Sequence, residues 1–235
     1  MIVGVAVVPH PPLLVPELVA GAVTETEAVR RACVAAGKRL AALSREWLAI
    51  ASDAHFHGLT SADVAGTFRG YGVDKIVSLA EDGGRGDVDP ALPLPALVAG
   101  WLRAEAGAAQ VVVQTIDPGG SVNDCKRVGE RLARQDRPVG LLVLGDGSSR
   151  HPGPSGHPDE RSVGFDAGVR DALATADLDA LLGLDVDLAR ELDVSGRAAW
   201  QALAGAASGR QWRPELLYSE APFGVGYHVA CWEPA

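Results

Sequence analysis

Apolar positions along the chain follow two alternating patterns. Residues 1–8 are an unbroken apolar, β-branched run, as expected of a strand covered on both faces. Residues 47–51 read the same way, 110–116 also predict a strand, and 139–144 (Val-Gly-Leu-Leu-Val-Leu) is the strongest of the second half. A shorter strand is predicted over 75–79 and a closing one over 225–232. Between these runs, apolar residues recur at three- and four-residue spacing. Residues 24–43 predict a helix with Val29, Ala32, Cys33, Ala36 and Leu40 on one face, and with Thr24 and Glu27 spaced as a capping box. Further helices are predicted over 95–106, 121–134, 159–176, 178–191 and 195–206. Residues 66–72 read as turns, and the Gly/Pro-rich stretch 81–95 as a surface loop. Alternating elements with short connections predict one α/β domain over residues 1–235. The expected architecture is a three-layer α/β/α sandwich around a largely parallel or mixed sheet.

Three of the predicted strands run into loops that carry histidine. The first ends in Pro9-His10-Pro11-Pro12, where flanking prolines stiffen the chain. The second ends in Ser52-Asp53-Ala54-His55-Phe56-His57, and the third in Gly145-Asp146-Gly147-Ser148-Ser149-Arg150-His151. Open α/β sheets keep their binding crevices at the carboxyl ends of strands, so His10, His55 and His151 are expected to converge there. Neutral imidazole suits Zn, Fe, Cu or Ni, and two histidines with one carboxylate suit Fe(II). A further histidine can act as acid or base. His57 and His157 read as solvated loop residues, and His228 as a packed histidine of the last strand. The glycines of 145–149 read either as a phosphate cradle or as a turn requiring positive φ.

Composition narrows the picture. A net charge of −9 argues against a nucleic-acid surface, and no apolar run is long enough to span a membrane. The three cysteines are odd in number and widely spaced, which points to reduced thiols and a cytoplasmic protein. The apolar start lacks a basic leader and carries several prolines, unlike a signal peptide.

Taken together, Pro9-His10, Ser52-Asp53-Ala54-His55, the 145–151 loop, Gly164-Phe165-Asp166, Ala176-Asp177, Ser195-Gly196-Arg197 and Gly224-Val225-Gly226-Tyr227 resemble the LigB-like superfamily. That superfamily comprises the catalytic subunits of class III extradiol ring-cleavage dioxygenases and their Memo-like relatives. The resemblance covers nearly the whole chain. It implies a non-haem Fe(II) site (Zn as the other metal) that opens a catecholic or related aromatic ring. By that resemblance His10 and His55 are the metal ligands, and His151 is the catalytic acid/base. Memo-like members carry Cys-Gly-Arg where this chain has Ser195-Gly196-Arg197. The third ligand is therefore left among Ser195, Glu191, Asp193 and Glu220. Phe56 and Phe223 are candidates for an aromatic wall beside the ring. The resemblance also implies a small partner subunit or further copies of the chain as partners, with the apolar loop 11–18 as interface or as cover for the sheet. A Memo-like protein, non-catalytic or metal-binding only, that binds a peptide, partner or small ligand is the alternative, and a Zn hydrolase ranks behind both.

Overall fold

The four long apolar runs pair side by side and in parallel, as expected of strands with no polar face to turn toward water. In a computed structural model, residues 1–19, 23–83, 88–153 and 157–235 are described, 23–25 as backbone alone. The described strands are β1 (Ile2–Val8), β2 (Glu46–Ser52), β3 (Gly58–Thr60), β4 (Ala65–Thr67), β5 (Ile76–Ser78), β6 (Val88–Asp89), β7 (Gln110–Ile116), β8 (Val139–Leu144), β9 (Trp212–Glu220) and β10 (Tyr227–Pro234). The helices are α1 (Val23–Leu43), α2 (Leu94–Ala106), α3 (Val122–Ala133), α4 (Arg161–Thr175), α5 (Leu178–Leu182), α6 (Val186–Glu191) and α7 (Arg197–Ala207).

The main sheet has the order β3-β7-β2-β8-β1-β10-β9. β7, β2, β8 and β1 are mutually parallel; β3, β10 and β9 run antiparallel to their inner neighbours. Side chains alternate between two cores, as the period of a strand requires. Ala6, Val8, Leu142 and Leu144 pack with Val29, Cys33 and Leu40 of α1 and Leu97 and Leu102 of α2. Val5, Val7, Leu141 and Val143 pack on the other face with Val169 and Leu173 of α4 and Leu203 of α7. The protein is thus an α/β fold with helices on both faces of a mixed sheet. Among the described residues no helix is long and apolar enough to cross a membrane.

α3 and α7 approach so closely that no side chain fits between them. A Cβ on Gly129 would lie 1.8 Å from the Ala202 carbonyl oxygen, and one on Gly205 would lie 2.2 Å from that of Lys126.

Several local expectations change. The predicted 178–191 helix is two short ones, α5 and α6, because Asp185 caps a second start through the Leu188 N–H. β9, which carries Pro214 and is only partly buried, is an edge strand that the sequence reading does not foresee. β5 joins β4 and β6 in a separate three-stranded sheet, so parts of the predicted turn and loop regions are strand. Loop 11–18 forms two single 3-10 turns, and its Leu14 and Val15 are fully buried in the core that α1 and α2 build on one face of the sheet. Thr24 of the predicted capping box has its side chain outside the described residues.

All three cysteines are free and buried. Burial pushes the Cys33 thiol up strongly and moves Cys231 from 9.0 to about 11. Unfolded thiols keep the lower value, so the stability gained from holding these groups neutral is complete below it and drains as pH rises. The unfolding temperature is therefore expected to fall as pH rises from 9.0 toward about 11. A midpoint that stays level across that window in a thermal melt would contradict this.

Candidate functional site

Because β1, β2 and β8 are parallel, the loops that follow them leave the same edge of the sheet. β10 is antiparallel, so its first residues, Tyr227 and His228, begin at that edge.

The end of β1 is tied to the end of β8. The His10 backbone N–H donates to Asp146 Oδ1 at 2.8 Å, and His10 Nδ1 stands 3.8 Å from the same oxygen. His10 is buried, and its Nδ1 has no hydrogen-bond partner among the described residues. No Lys or Arg pairs with Asp146 among the described residues. Its charge instead adds to the upward pressure that burial puts on the Cys33 thiol and the Tyr227 hydroxyl. Ser195 holds this arrangement: its Oγ accepts the Asp146 N–H at 3.1 Å, and its carbonyl accepts from the Ser52 hydroxyl. Gly145 lies against Gly196, where an added Cβ would come within 2.4 Å of the Gly196 Cα. Ser195 is therefore a backbone clamp. The adjacent Arg197, also buried, donates to the carbonyls of Pro118 and Gly120 and to Gln201 Oε1, and so anchors the start of α7.

His55 is exposed. Asp53 Oδ1 accepts the N–H groups of His55 and Phe56, each at 2.9 Å, and shapes this loop. His55 lines a cavity of about 600 Å³ whose walls include Asp53, Phe56, Tyr71, Leu92 and Leu97. Phe56 thus sits on an open apolar surface, as a ring wall would, whereas Phe223 packs against the α1–α2 core. His57 and His157 are exposed.

The third cluster is built on a buried carboxylate. Asp166 lies on the inward face of α4 with Ser162, Phe165 and Val169. His151 Nε2 is 2.6 Å from Asp166 Oδ2, the Ser148 N–H reaches both carboxylate oxygens at 3.1–3.2 Å, and His228 Nε2 lies 3.6 Å from Oδ1. Ser219 Oγ is 2.9 Å from His228 Nδ1. Glycine makes the approach possible. A Cβ on Gly147 would lie 2.6 Å from both Asp166 oxygens, and one on Gly226 would lie 1.9 Å from Oδ2. The Gly147 N–H donates to the Gly226 carbonyl at 2.7 Å, and the Gly226 N–H to the Ser148 carbonyl at 2.8 Å, which closes the cradle. Neither Gly145 nor Gly147 has positive φ, and no helix begins at this loop, so close approach explains these glycines better than a turn or a phosphate cradle.

The remaining candidates for a third ligand are differently occupied. Glu191 pairs with Arg161 at 2.8 Å and Asp193 with Arg150 at 2.6 Å. Glu220 borders a cavity of about 160 Å³ with His151, Asp166 and His228. Among the described residues, no group of three or more His, Cys, Asp and Glu is arranged to hold a metal ion. Asp166 and Asp146 lie in segments noted in the sequence, which gave neither of them a role in the site. A carboxylate on the apolar stripe of a predicted helix was the available signal for Asp166.

A scan against protein-family models gives no match, and neither does a comparison with curated proteins. The fold does match a solved structure, the crystal structure of uncharacterized protein JW3007 from Escherichia coli K12. The match covers 98% of this chain and 99% of that one, with a TM-score of 0.52 and 14% sequence identity. At that identity the likeness establishes a shared fold and nothing further.

Proposed function

We propose that the chain is a metal-dependent oxidoreductase of the extradiol type, acting on a catecholic or related aromatic ring. His10 and His55 would hold Fe(II), and His151 would serve as acid/base. The observation that carries this reading is the buried, unpartnered Nδ1 of His10 facing the Asp146 carboxylate, which has no basic side chain beside it. A buried imidazole nitrogen and a carboxylate 3.8 Å apart, with no hydrogen bond between them, are two donor groups that a cation would bridge. Asp146 would supply the oxygen ligand that Ser195 does not. The chemistry such an ion supplies is to bind both ring oxygens and O2 at neighbouring positions. The chain's own residues would do the rest. His151, oriented by Asp166, takes the ring hydroxyl proton, and Phe56 and Tyr71 form an apolar wall in the cavity beside His55.

Anaerobic purification and Fe(II) reconstitution are expected to give about one equivalent of metal, as for a single His/carboxylate site. It should be lost in His10→Ala and His55→Ala and weakened in Asp146→Asn, and oxygen uptake with a catechol panel should follow metal content. No metal above background after reconstitution would overturn the reading. Two observations favour the second reading, a Memo-like protein that binds a peptide, partner or small ligand without catalysis. Ser195 is committed to the backbone, and no three-residue metal set is preassembled among the described residues. On that reading the protein, with or without a bound metal, is inert toward oxygen in the presence of catechols.

A further inference from the structure

We infer that Asp166 and His228 are a positioning pair that fixes the tautomer of His151, with Nε2–H directed at the carboxylate and Nδ1 left as the basic nitrogen. The catalytic consequence rests on the acid/base role proposed for His151; the tautomer does not.

An ionised carboxylate only accepts hydrogen bonds, and one taken out of water must have its oxygens filled by donors. Asp166 is buried, and the Ser148 N–H is the one backbone donor that reaches it among the described residues. His151 Nε2 stands 2.6 Å from a carboxylate oxygen that can only accept, which places the proton on that nitrogen. A neutral imidazole has one N–H, so Nδ1 of His151 keeps its lone pair. Among the described residues that nitrogen has no hydrogen-bond partner.

His228 obeys the same rule. Were its proton on Nδ1, its Nε2 lone pair would face the carboxylate at 3.6 Å in a buried site. With the proton on Nε2, the ring is attracted to Asp166, and the Ser219 hydroxyl donates to Nδ1 at 2.9 Å. Trp200 and His228 meet in an edge-to-face arrangement, with ring centroids 6.0 Å apart. His228 thus shares the carboxylate's charge from 3.6 Å, without a hydrogen bond to it, beside Oδ1, the oxygen that His151 Nε2 does not contact. The sharing has a cost, because each donor dilutes the charge that the other feels.

Long-range 15N–1H spectra of the histidine rings test this in metal-free protein without substrate, with a His151→Gln variant assigning the resonances. In the neutral form, both His151 and His228 of wild type are expected to carry their proton on Nε2, with a strongly deshielded Nε2 proton on His151. Asp166→Asn should abolish that proton signal. His228→Phe should move it further downfield, since Asp166 then serves His151 alone, and Ser219→Ala should perturb His228 while sparing His151. An Nδ1-protonated His151 in wild type would overturn the proposal before any variant is made, as would a His151 signal indifferent to Asp166→Asn in folded protein. If the ring-opening activity exists, Asp166→Asn should lower kcat by about 10³–10⁴-fold with KM little changed, as a wrong tautomer does elsewhere. If it does not exist, the spectra still decide the tautomer.

Discussion

Gly129→Ala is expected to destabilise the protein by about 3 kcal/mol or more, at the upper end of what one inserted methyl does to a packed interior. The added carbon would stand 1.8 Å from the Ala202 carbonyl oxygen. That oxygen belongs to the backbone of α7, so relief requires moving a whole helix. α7 is almost wholly buried and carries Trp200 and Leu203 into the core, so its displacement would spread through that face of the sheet. For a chain of this length the unfolding temperature should fall by roughly 6–12 °C, at about 2–4 °C per kcal/mol. A loss of under 1 °C in a thermal melt would show that α3 and α7 have more freedom than their spacing suggests.

Gly226→Ala is expected to spare the fold and disable the His151 site. The obstacle here is the end of a side chain, since the new carbon would lie 1.9 Å from Asp166 Oδ2. A carboxylate can swing away, but Oδ2 is the oxygen bonded to His151, so any swing breaks that contact. The Gly226 backbone cannot yield in its place, because it is bonded through both its N–H and its carbonyl to the Gly147–Ser148 segment. The expected signature is a near-normal unfolding temperature together with loss of the deshielded His151 proton. Any acid/base activity should fall by about 10²-fold or more, the scale of general acid–base contributions. A retained His151 signal would mean that Asp166 has a second orientation equally able to hold the ring.

These two glycines mark where sequence reading reaches and where it stops. The strands at 110–116 and 139–144 agree residue for residue with β7 and β8, the second because a doubly covered strand announces itself by an unbroken apolar run, the first through its β-branched Val111, Val112, Val113, Thr115 and Ile116. The order of strand and histidine loop was legible too, since chain direction alone places His10, His55 and His151 at one edge. What each imidazole touches was not. Asp166 reaches His151 from a different element, and the partnership depends on Gly147 and Gly226 being small, which no local pattern records. Ser195 shows the same limit. Its position in a familiar-looking segment suggests a ligand, whereas its hydroxyl is spent on the Asp146 N–H. β9 escaped because an edge strand with proline and one wet face lacks the apolar signature that reveals its neighbours.

The place of β1 inside the sheet bears on how the chain is made. Val5 pairs with Leu141 on one side and Trp232 on the other, so β1 leaves the ribosome long before either of its neighbours is synthesised. Its sequence, Ile-Val-Gly-Val-Ala-Val-Val, has no charge and no proline, the composition of a segment prone to pair with the wrong chain. Until β8 emerges both its edges are bare, and until β10 emerges one still is. Pairings this distant also fold slowly. Yield in the cell should therefore depend on whatever shields β1 during that wait, and a slower rate of synthesis lengthens the interval in which it must be shielded.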